Sequence, residues 1–485
     1  MREPQICVSV TGTTMEQVRR RRDAAEGADL VEVRLDGVDA PDPVGALDGR
    51  RRPVIVTCRP VWEGGRFDGS EEVRCRILEQ AAAAGAEFID VEARAAFALD
   101  LIRARRGRGV VVSSHTFGSV PADLASRWGA LKTLGAEVAK LAVEVSTLSE
   151  ALQVMSLATW RPGDPGAFQS DHVLVAMGEP GVVSRVLAAR LGNRWTYAGQ
   201  QVAPGQLPPD RLLREFRLRE LTPDTAIYGV VGNPVSHSRS PAMHNAGFSH
   251  LGMNAVYLPL KAADAEDFVR FARAIGLAGA SITAPFKVPL MVEMDALDPL
   301  ARRVGAINTL VVRDGGWYGA NTDVYGFSAP LSGRLAVRGV RATILGAGGA
   351  ARAVAVALAD MGAAVTVSAR RPEAAREIAD LAGGRVGEFP PRAGSWDVLV
   401  NAIPATGDAG THSPIASAAL DGEIVFDLVY APAETRLLAD ARAAGCMTIG
   451  GLEMLVAQAE RQFELWAGAP PPAGLFQQAA GQSVL

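Results

Sequence analysis

The sequence predicts an α/β protein: an N-terminal (β/α)8 TIM barrel, then a second unit containing a Rossmann nucleotide-binding lobe. Three observations carry this expectation. Eight short apolar segments alternate with helical patterns across the first 220 residues. A link, "RELTPDT" (219–225), closes that run with Thr222, Pro223 and Asp224. A strand–glycine turn–helix–strand unit, "VRATILGAGGAARAVAVALADMGAAVTVSARR" (340–371), follows in the second half. At 485 residues two or three domains are expected rather than one.

The barrel strands are, in order, "QICVSV" (5–10), "LVEVRL" (30–35), "VIVTCR" (54–59), "FIDVE" (88–92), "VVVSSH" (110–115), "AKLAVEV" (139–145), "HVLVAM" (172–177) and "RWTYA" (194–198). Stretches of helical period lie between them, such as "MEQVRRRRDAAEGA" (15–28) and "VRCRILEQAAAAGA" (73–86). The arginine run at 19–22 reads as a solvated face. A barrel of this kind does its chemistry at the C-terminal ends of its strands. The polar residues there are Glu32, Arg34, Arg59, Glu92, His115 and Lys140, with Arg185 and Gln206 further on.

The second half opens with the strand "AIYGVVGN" (226–233) and alternates strand and helix to about Asp323. In the glycine turn, Gly346, Gly348 and Ala351 match G-x-G-x-x-G/A. The first glycine permits a tight turn and the second lets backbone approach a pyrophosphate. The third position packs helix on strand. Gly346, Ala347, Gly348, Gly349 and Ala350 therefore form the expected phosphate cradle at a helix N-terminus. The next strand ends at Ser368, followed by Arg370 and Arg371, with no acid to select a free ribose hydroxyl. Two guanidiniums suit a 2′-phosphate, so the cofactor expected is NADP(H) rather than NAD.

Composition excludes several classes. The chain is 48% hydrophobic and 21% charged, with net charge −4, so no nucleic-acid or membrane partner is expected. Cys7, Cys58, Cys75 and Cys446 are scattered without CxxC, which speaks against a disulfide framework or a metal site. No signal-type or membrane-spanning apolar stretch is present, and a cytoplasmic protein is expected.

Four lysines stand against 45 arginines. Lysine can lose its proton or form an imine, and arginine can do neither. Lys140 lies near a barrel rim and Lys287 ends "SITAPFK" (281–287), while Lys132 and Lys261 read as surface residues. Lys287 falls among two further dense motifs, "GNPVSHSRSPAMHN" (232–245) and "AINTLV…GGWYGANTD" (306–323). Lys287 and Asp323 suit a proton-transfer pair beside a carbonyl that receives hydride. Ser238, Ser240, Thr283 and Asn308 are neutral hydrogen-bonding groups fit for a polyhydroxylated substrate.

These motifs, in this order ahead of "GAGGAARA", resemble shikimate dehydrogenase. The resemblance runs over 225–485 and extends to "DLVYAPAETRLL" (427–438) and "GGLEMLVAQA" (450–459). It implies a two-lobed enzyme, with Lys287 and Asp323 as the catalytic pair. Ser238, Ser240, Thr283, Asn308, Tyr430 and Gln458 would bind shikimate or 3-dehydroshikimate. Two departures stand out: Ser281 where the family usually has Asn, and Ala369-Arg370-Arg371 where it usually has Asn-Arg-Thr.

The first half then becomes readable. "EVRLD" (32–36), "TCRPVWEGG" (57–65), "SSHTF" (113–117), "AKLAV" (139–143), "GVVSR" (181–185) and "VAPGQ" (202–206) resemble type I 3-dehydroquinate dehydratase. The resemblance implies an imine on Lys140, proton movement by His115 and orientation of that histidine by Glu63. Glu32, Arg34, Arg59, Arg185 and Gln206 would hold substrate. Thr116 and Val202 stand where the family usually has Asp and Ser.

The implied organisation is a dehydratase barrel (1–220), a substrate lobe (225–327), a nucleotide lobe (334–450) and C-terminal helices (451–480) returning to the substrate lobe. The implied function is consecutive conversion of 3-dehydroquinate to 3-dehydroshikimate and then to shikimate. A quinate-reducing relative and a non-catalytic metabolite sensor remain the alternatives. The sequence leaves the oligomeric state open and gives the Pro/Ala/Gln-rich tail no role beyond partial disorder.

Overall fold

A computed structural model describes residues 3–159, 171–199, 203–404 and 412–482. Val202 lies outside the described residues. The chain divides into two compact units. One comprises Met1–Ile227, Pro234–Ser236 and Met253–Gly276. The other comprises Tyr228–Asn233, His237–Gly252 and Leu277–Leu485.

All eight barrel strands form: β1 (Gln5–Val10), β2 (Leu30–Arg34), β3 (Val54–Thr57), β4 (Phe88–Glu92), β5 (Val110–Thr116), β6 (Val138–Glu144), β7 (Asp171–Met177) and β8 (Trp195–Ala198). They run parallel in the order β7-β6-β5-β4-β3-β2-β1-β8. Beside β7, the Arg194 amide donates to the His172 carbonyl at 2.9 Å, which brings the sheet round on itself.

Strand alternation then fixes what faces inward. The register aligns Cys7 with Leu30, and Ile55 with Phe88 one strand further round. These residues, with Val111, Val138, Val173 and Trp195, make a buried apolar cluster. Two residues along, the inward positions become Ser9, Glu32, Thr57, Asp90, Ser113, Lys140 and Tyr197, with Val175 of β7 the one that stays apolar. The inner face thus turns from hydrocarbon to charge towards the C-terminal ends. Outward valines such as Val31, Val56 and Val91 are fully buried, as expected for parallel strands covered on both faces.

Two basic residues read as solvated are not. Arg22 is 3% exposed and donates to the Ala46 and Asp48 carbonyls, so it ends the arginine run inside the fold. Lys132 is 6% exposed, its ammonium 5.4 Å from the Trp128 ring centre. Each long stem is covered by packing while its charge finds a local partner.

The strand β9 (Ala226–Gly232) enters the second half, followed by β10 (Ala255–Lys261). The helix Ala265–Ile275 packs within the first unit, where Asp267 accepts from the Leu148 and Ser149 amides at 3.1 and 2.7 Å. These amides open the helix Leu148–Ser156, whose first-turn donors lack intrahelical partners.

The second unit holds two sheets. In the first, β9, β11 (Gly279–Ile282), β13 (Thr309–Arg313), β14 (Gly316–Ala320) and β12 (Ala296–Leu297) lie in that order. The other contains β15 (Arg341–Leu345), β16 (Ala364–Ser368), β17 (Arg385–Val386), β18 (Val398–Asn401), β19 (Ile424–Asp427) and β20 (Met447–Gly450). Its order, β17-β16-β15-β18-β19-β20, is 3-2-1-4-5-6 counted from its own first strand. This is the Rossmann arrangement, with a topological switch point between β15 and β18.

The helix Gly451–Ala467 lies against the helix Asp323–Ser332. A Cβ added at Gly326 would stand 2.6 Å from Gln458 Cβ, so only glycine permits this approach. The tail expected to be partly disordered forms the helix Leu475–Gln482, with Phe476 and Ala480 fully buried.

Candidate active sites

In the barrel, the C-terminal ends of the strands enclose a cavity of about 160 Å³. Glu32, Arg34, Arg59, Glu63, His115, Lys140, Arg185 and Gln206 all line it. The structure therefore brings these eight residues to one cavity, whereas Glu92, also read at a strand end, is fully buried behind it and pairs with Arg59 and Arg74. Lys140 is 4% exposed. Its Nζ lies 3.0 Å from Asp90 Oδ2 and 3.4 Å from Glu32 Oε1, and 4.3 Å from the Tyr197 ring centre.

Both carboxylates are themselves held. Ser9 and Thr57 donate to Glu32 at 2.6 and 3.0 Å. Ser113 donates to Asp90 at 2.5 Å, and Arg59 donates to Asp90, Glu92 and Ser113 at 3.1, 2.6 and 2.8 Å. Arg74 completes the network by pairing with Glu92. Burial by itself raises the Asp90 carboxyl, but the charges of Arg59 and Lys140 outweigh it and hold the group well below its ordinary range. Glu32 is likewise lowered against its burial, chiefly by Lys140 and then Arg34.

Asp90 and Ser113 were missed by reading only strand ends. The available signal was the two-residue period. "FIDVE" sends Asp90 to the same face as Glu92, and "VVVSSH" sends Ser113 to the same face as His115.

His115 rests on Glu63. The Glu63 Oε1 accepts from the His115 amide at 2.8 Å and contacts Nδ1 at 3.0 Å. A carboxylate there favours the Nδ1–H tautomer and leaves Nε2 with its lone pair. Burial, aided by Arg59 and Lys140, pushes the imidazole well below its ordinary range, so the ring is neutral. Burial raises the Glu63 carboxyl to about 7, with Arg59 opposing. Arg34 is bound at two points by Asp36, at 2.7 and 2.8 Å. Arg185 differs: it is fully buried and donates to two carbonyls, Tyr197 O and Pro204 O. Burial lowers it to about 10. Among the described residues it has no acidic partner. A buried cation bound only to carbonyls favours an incoming anion.

The second site lies in the second unit. Lys287 Nζ meets Asp323 Oδ2 at 2.5 Å. Asn308 donates to Asp323 Oδ1 at 2.8 Å, to Thr322 at 2.9 Å and to Gln458 at 3.3 Å. Lys287, Asp323, Asn308 and Gln458 are thus brought together. Ser238 Oγ accepts from the Ser240 amide at 3.3 Å, at the start of the helix Ser240–His250. Thr283 continues β11, its amide bonded to the Val231 carbonyl. The Tyr430 hydroxyl is raised by burial. Ser281 donates to Gln462 Oε1 at 2.7 Å, and Gln462 donates to the Asn308 carbonyl at 2.8 Å.

The dinucleotide turn sits beside this pair. A Cβ at Gly349 would lie 3.2 Å from Lys287 Cδ. Gly346 has φ +106°, a conformation that favours glycine, and Ala351 is fully buried. Gly348 caps the helix Gly349–Asp360, and a Cβ there would meet nothing within 4 Å. Open space in front of unpaired first-turn amides fits a dinucleotide pyrophosphate. Ala347 and Ala350 flank the turn, and Arg370 and Arg371 are exposed beyond β16. Ser368 is buried and donates to the Glu388 carbonyl, which places its hydroxyl on the backbone.

The family model for type I 3-dehydroquinase matches residues 6–223. The models for the shikimate dehydrogenase substrate binding domain and the shikimate 5′-dehydrogenase C-terminal domain match 230–310 and 451–480. The bifunctional 3-dehydroquinate dehydratase/shikimate dehydrogenase of Arabidopsis thaliana, a chloroplastic protein, is 33% identical over 98% of this chain and 83% of its own. The chain belongs to this bifunctional family.

The second half has separate relatives. The NADP(+) shikimate dehydrogenase of Halobacterium salinarum is 41% identical over 52% of this chain and 97% of its own. A shikimate dehydrogenase crystallised with NADP+ is 32% identical, covers 55% of this chain and 98% of its own, and gives a TM-score of 0.51. The enzyme from Aquifex aeolicus is 30% identical over 53% and 98%, also with a TM-score of 0.51. No described helix is long and apolar enough to cross a membrane.

Proposed function

We propose that the barrel dehydrates 3-dehydroquinate to 3-dehydroshikimate and that the second unit reduces this product to shikimate with NADPH. One observation carries the reading. A single chain of this bifunctional family holds Lys140 buried among carboxylates near a neutral histidine, and a Lys287–Asp323 pair against a dinucleotide turn.

In the barrel, the Lys140 amine adds to the substrate ketone and water leaves, giving an iminium on Nζ. The iminium draws electrons from the adjacent C–H bond, whose proton passes to His115 Nε2. The β-hydroxyl then leaves as water with a returned proton, and hydrolysis frees Lys140 and the enone. Glu63 holds the histidine tautomer. Asp90 and Glu32 fix the direction of Nζ, while Arg185, Arg34, Arg59 and Gln206 bind the carboxylate and hydroxyls.

In the second unit, bound NADPH supplies the hydride for the ketone. Lys287 donates the proton to the oxygen that becomes the hydroxyl, and Asp323, held by Asn308, orients that ammonium. Ser238, Ser240, Thr283, Tyr430 and Gln458 hold the substrate carboxylate and hydroxyls. Gly346 to Ala350 receive the pyrophosphate, with Arg370 and Arg371 on the 2′-phosphate. The working boundaries are 1–220, 225–327, 334–450 and 451–480. Four free thiols suit a reducing cytoplasm.

Borohydride reduction tests the first half. Protein treated with 3-dehydroquinate and borohydride should gain one adduct, mapped to Lys140, and should separately oxidise NADPH when given 3-dehydroshikimate. An adduct elsewhere, or no NADPH oxidation, would overturn the corresponding half.

A further inference from the structure

The C-terminal helix is fastened to the turn that carries Ser238 and Ser240. Between those serines stands Arg239, whose Nη1 donates to the Ala480 carbonyl at 2.9 Å. Ala480 lies in the last turn of the helix Leu475–Gln482, where carbonyls lack intrahelical donors and a guanidinium is a favoured partner. The helix is not loosely laid down. Phe476 is fully buried, edge-on to His244 at 5.3 Å and to Phe463 at 5.5 Å between ring centres. A Cβ at Gly247 would stand 2.6 Å from Phe463 and 3.0 Å from Phe476, so backbone and rings meet at close range. The charge of Arg239 also acts on the Tyr430 phenol.

We infer that Arg239 and the helix Leu475–Gln482 form a strut that positions the Ser238–Ser240 turn for shikimate. Arg239 is thus a positioning residue, and the tail with no role in the sequence reading becomes part of the substrate site. The inference rests on the proposed shikimate dehydrogenase activity. Physically, the turn leads into helix Ser240–His250, whose N-cap residue Arg239 makes no side-chain cap and whose Ser240 amide is met by Ser238 Oγ from the turn itself. The Arg239–Ala480 bond ties it instead to a helix anchored by buried rings. Breaking the tie frees the turn to sample positions where the two hydroxyls no longer meet the ligand together.

The test is a double-mutant cycle on the full chain: Arg239→Ala, removal of residues 475–485, and both together, assayed with shikimate and NADP+. The strut predicts that each change raises KM for shikimate about tenfold, the scale of one charge-assisted hydrogen bond. It predicts kcat and KM for NADP+ nearly unchanged, no further loss in the combined variant, and partial recovery in Arg239→Lys. Effects that multiply in the combined variant would mean that Arg239 touches the ligand directly and would overturn the strut. So would an unchanged KM in Arg239→Ala, or equal losses towards both substrates. A wild-type chain that does not oxidise shikimate with NADP+ would instead sink the functional reading on which the strut rests.

Discussion

Lys140 Nζ and Asp90 Oδ2 lie 3.0 Å apart inside the barrel, and Asp90 simultaneously binds Arg59 and Ser113. The carboxylate therefore neutralises a cation needed for structure and fixes the amine needed for chemistry. Removing it leaves Lys140 and Arg59 short of an anion in a buried setting. Asp90→Asn is expected to cost about 3 kcal/mol in stability, within the range for breaking a buried pair. The sign with pH follows from its lowered carboxyl. Its contribution is fully present above the unfolded value near 4, declines below it, and is gone only once pH falls through the lowered folded value. Urea titrations of wild type and Asp90→Asn should therefore differ by nearly the full amount at pH 7 and pH 5, and the gap should narrow progressively only as pH is taken below about 4.

Lys140→Arg keeps the charge but cannot form an imine. It should abolish dehydratase turnover and borohydride trapping while leaving NADP-dependent shikimate oxidation within about twofold. Loss of both activities would show that the substitution acts on folding.

Glu63 sets a pH limb. Its carboxyl lies at about 7, raised by burial. Below that pH it protonates and ceases to accept from His115, so dehydratase kcat/KM should fall on the acid side with a midpoint near 7. Glu63→Gln should lower the plateau by about 100-fold and remove that midpoint. The same raised value means that the protonated carboxyl favours the fold. That contribution is fully present below about pH 4.5 and lost as pH rises through 7, and Glu63→Gln should flatten it.

Gly326→Ala would press a Cβ to 2.6 Å from Gln458 Cβ. Overpacking of this kind costs about 1–3 kcal/mol. Because Gln458 also contacts Asn308, KM for shikimate should rise while the dehydratase is unaffected. Parallel assays of the two activities check this.

Much of the fold was legible because strand periods are short and regular. All eight barrel strands lie where short apolar segments placed them, and the G-x-G-x-x-A turn formed with the positive-φ glycine it needs. Residues hidden one step down a strand were less legible. Asp90 and Ser113 are inward by alternation, yet they lie two positions before Glu92 and His115, inside the strands rather than at the rim where polar residues stand out. Arg22 and Lys132 were misread because composition marks them as solvent-facing, whereas burial of a long aliphatic stem is decided by tertiary neighbours. The tail's Pro/Ala/Gln content suggested disorder, but a single phenylalanine, Phe476, gives it an anchor among His244 and Phe463.

The central claim is that one chain performs both steps. The direct measurement supplies 3-dehydroquinate and NADPH together and follows NADPH oxidation, with shikimate identified as product. The wild-type chain should consume NADPH, Lys140→Arg and Lys287→Met should each fail alone, and an equal mixture of the two variants should restore the reaction. NADPH oxidation that survives Lys140→Arg, or a wild-type chain that converts neither 3-dehydroquinate nor 3-dehydroshikimate, would contradict the account.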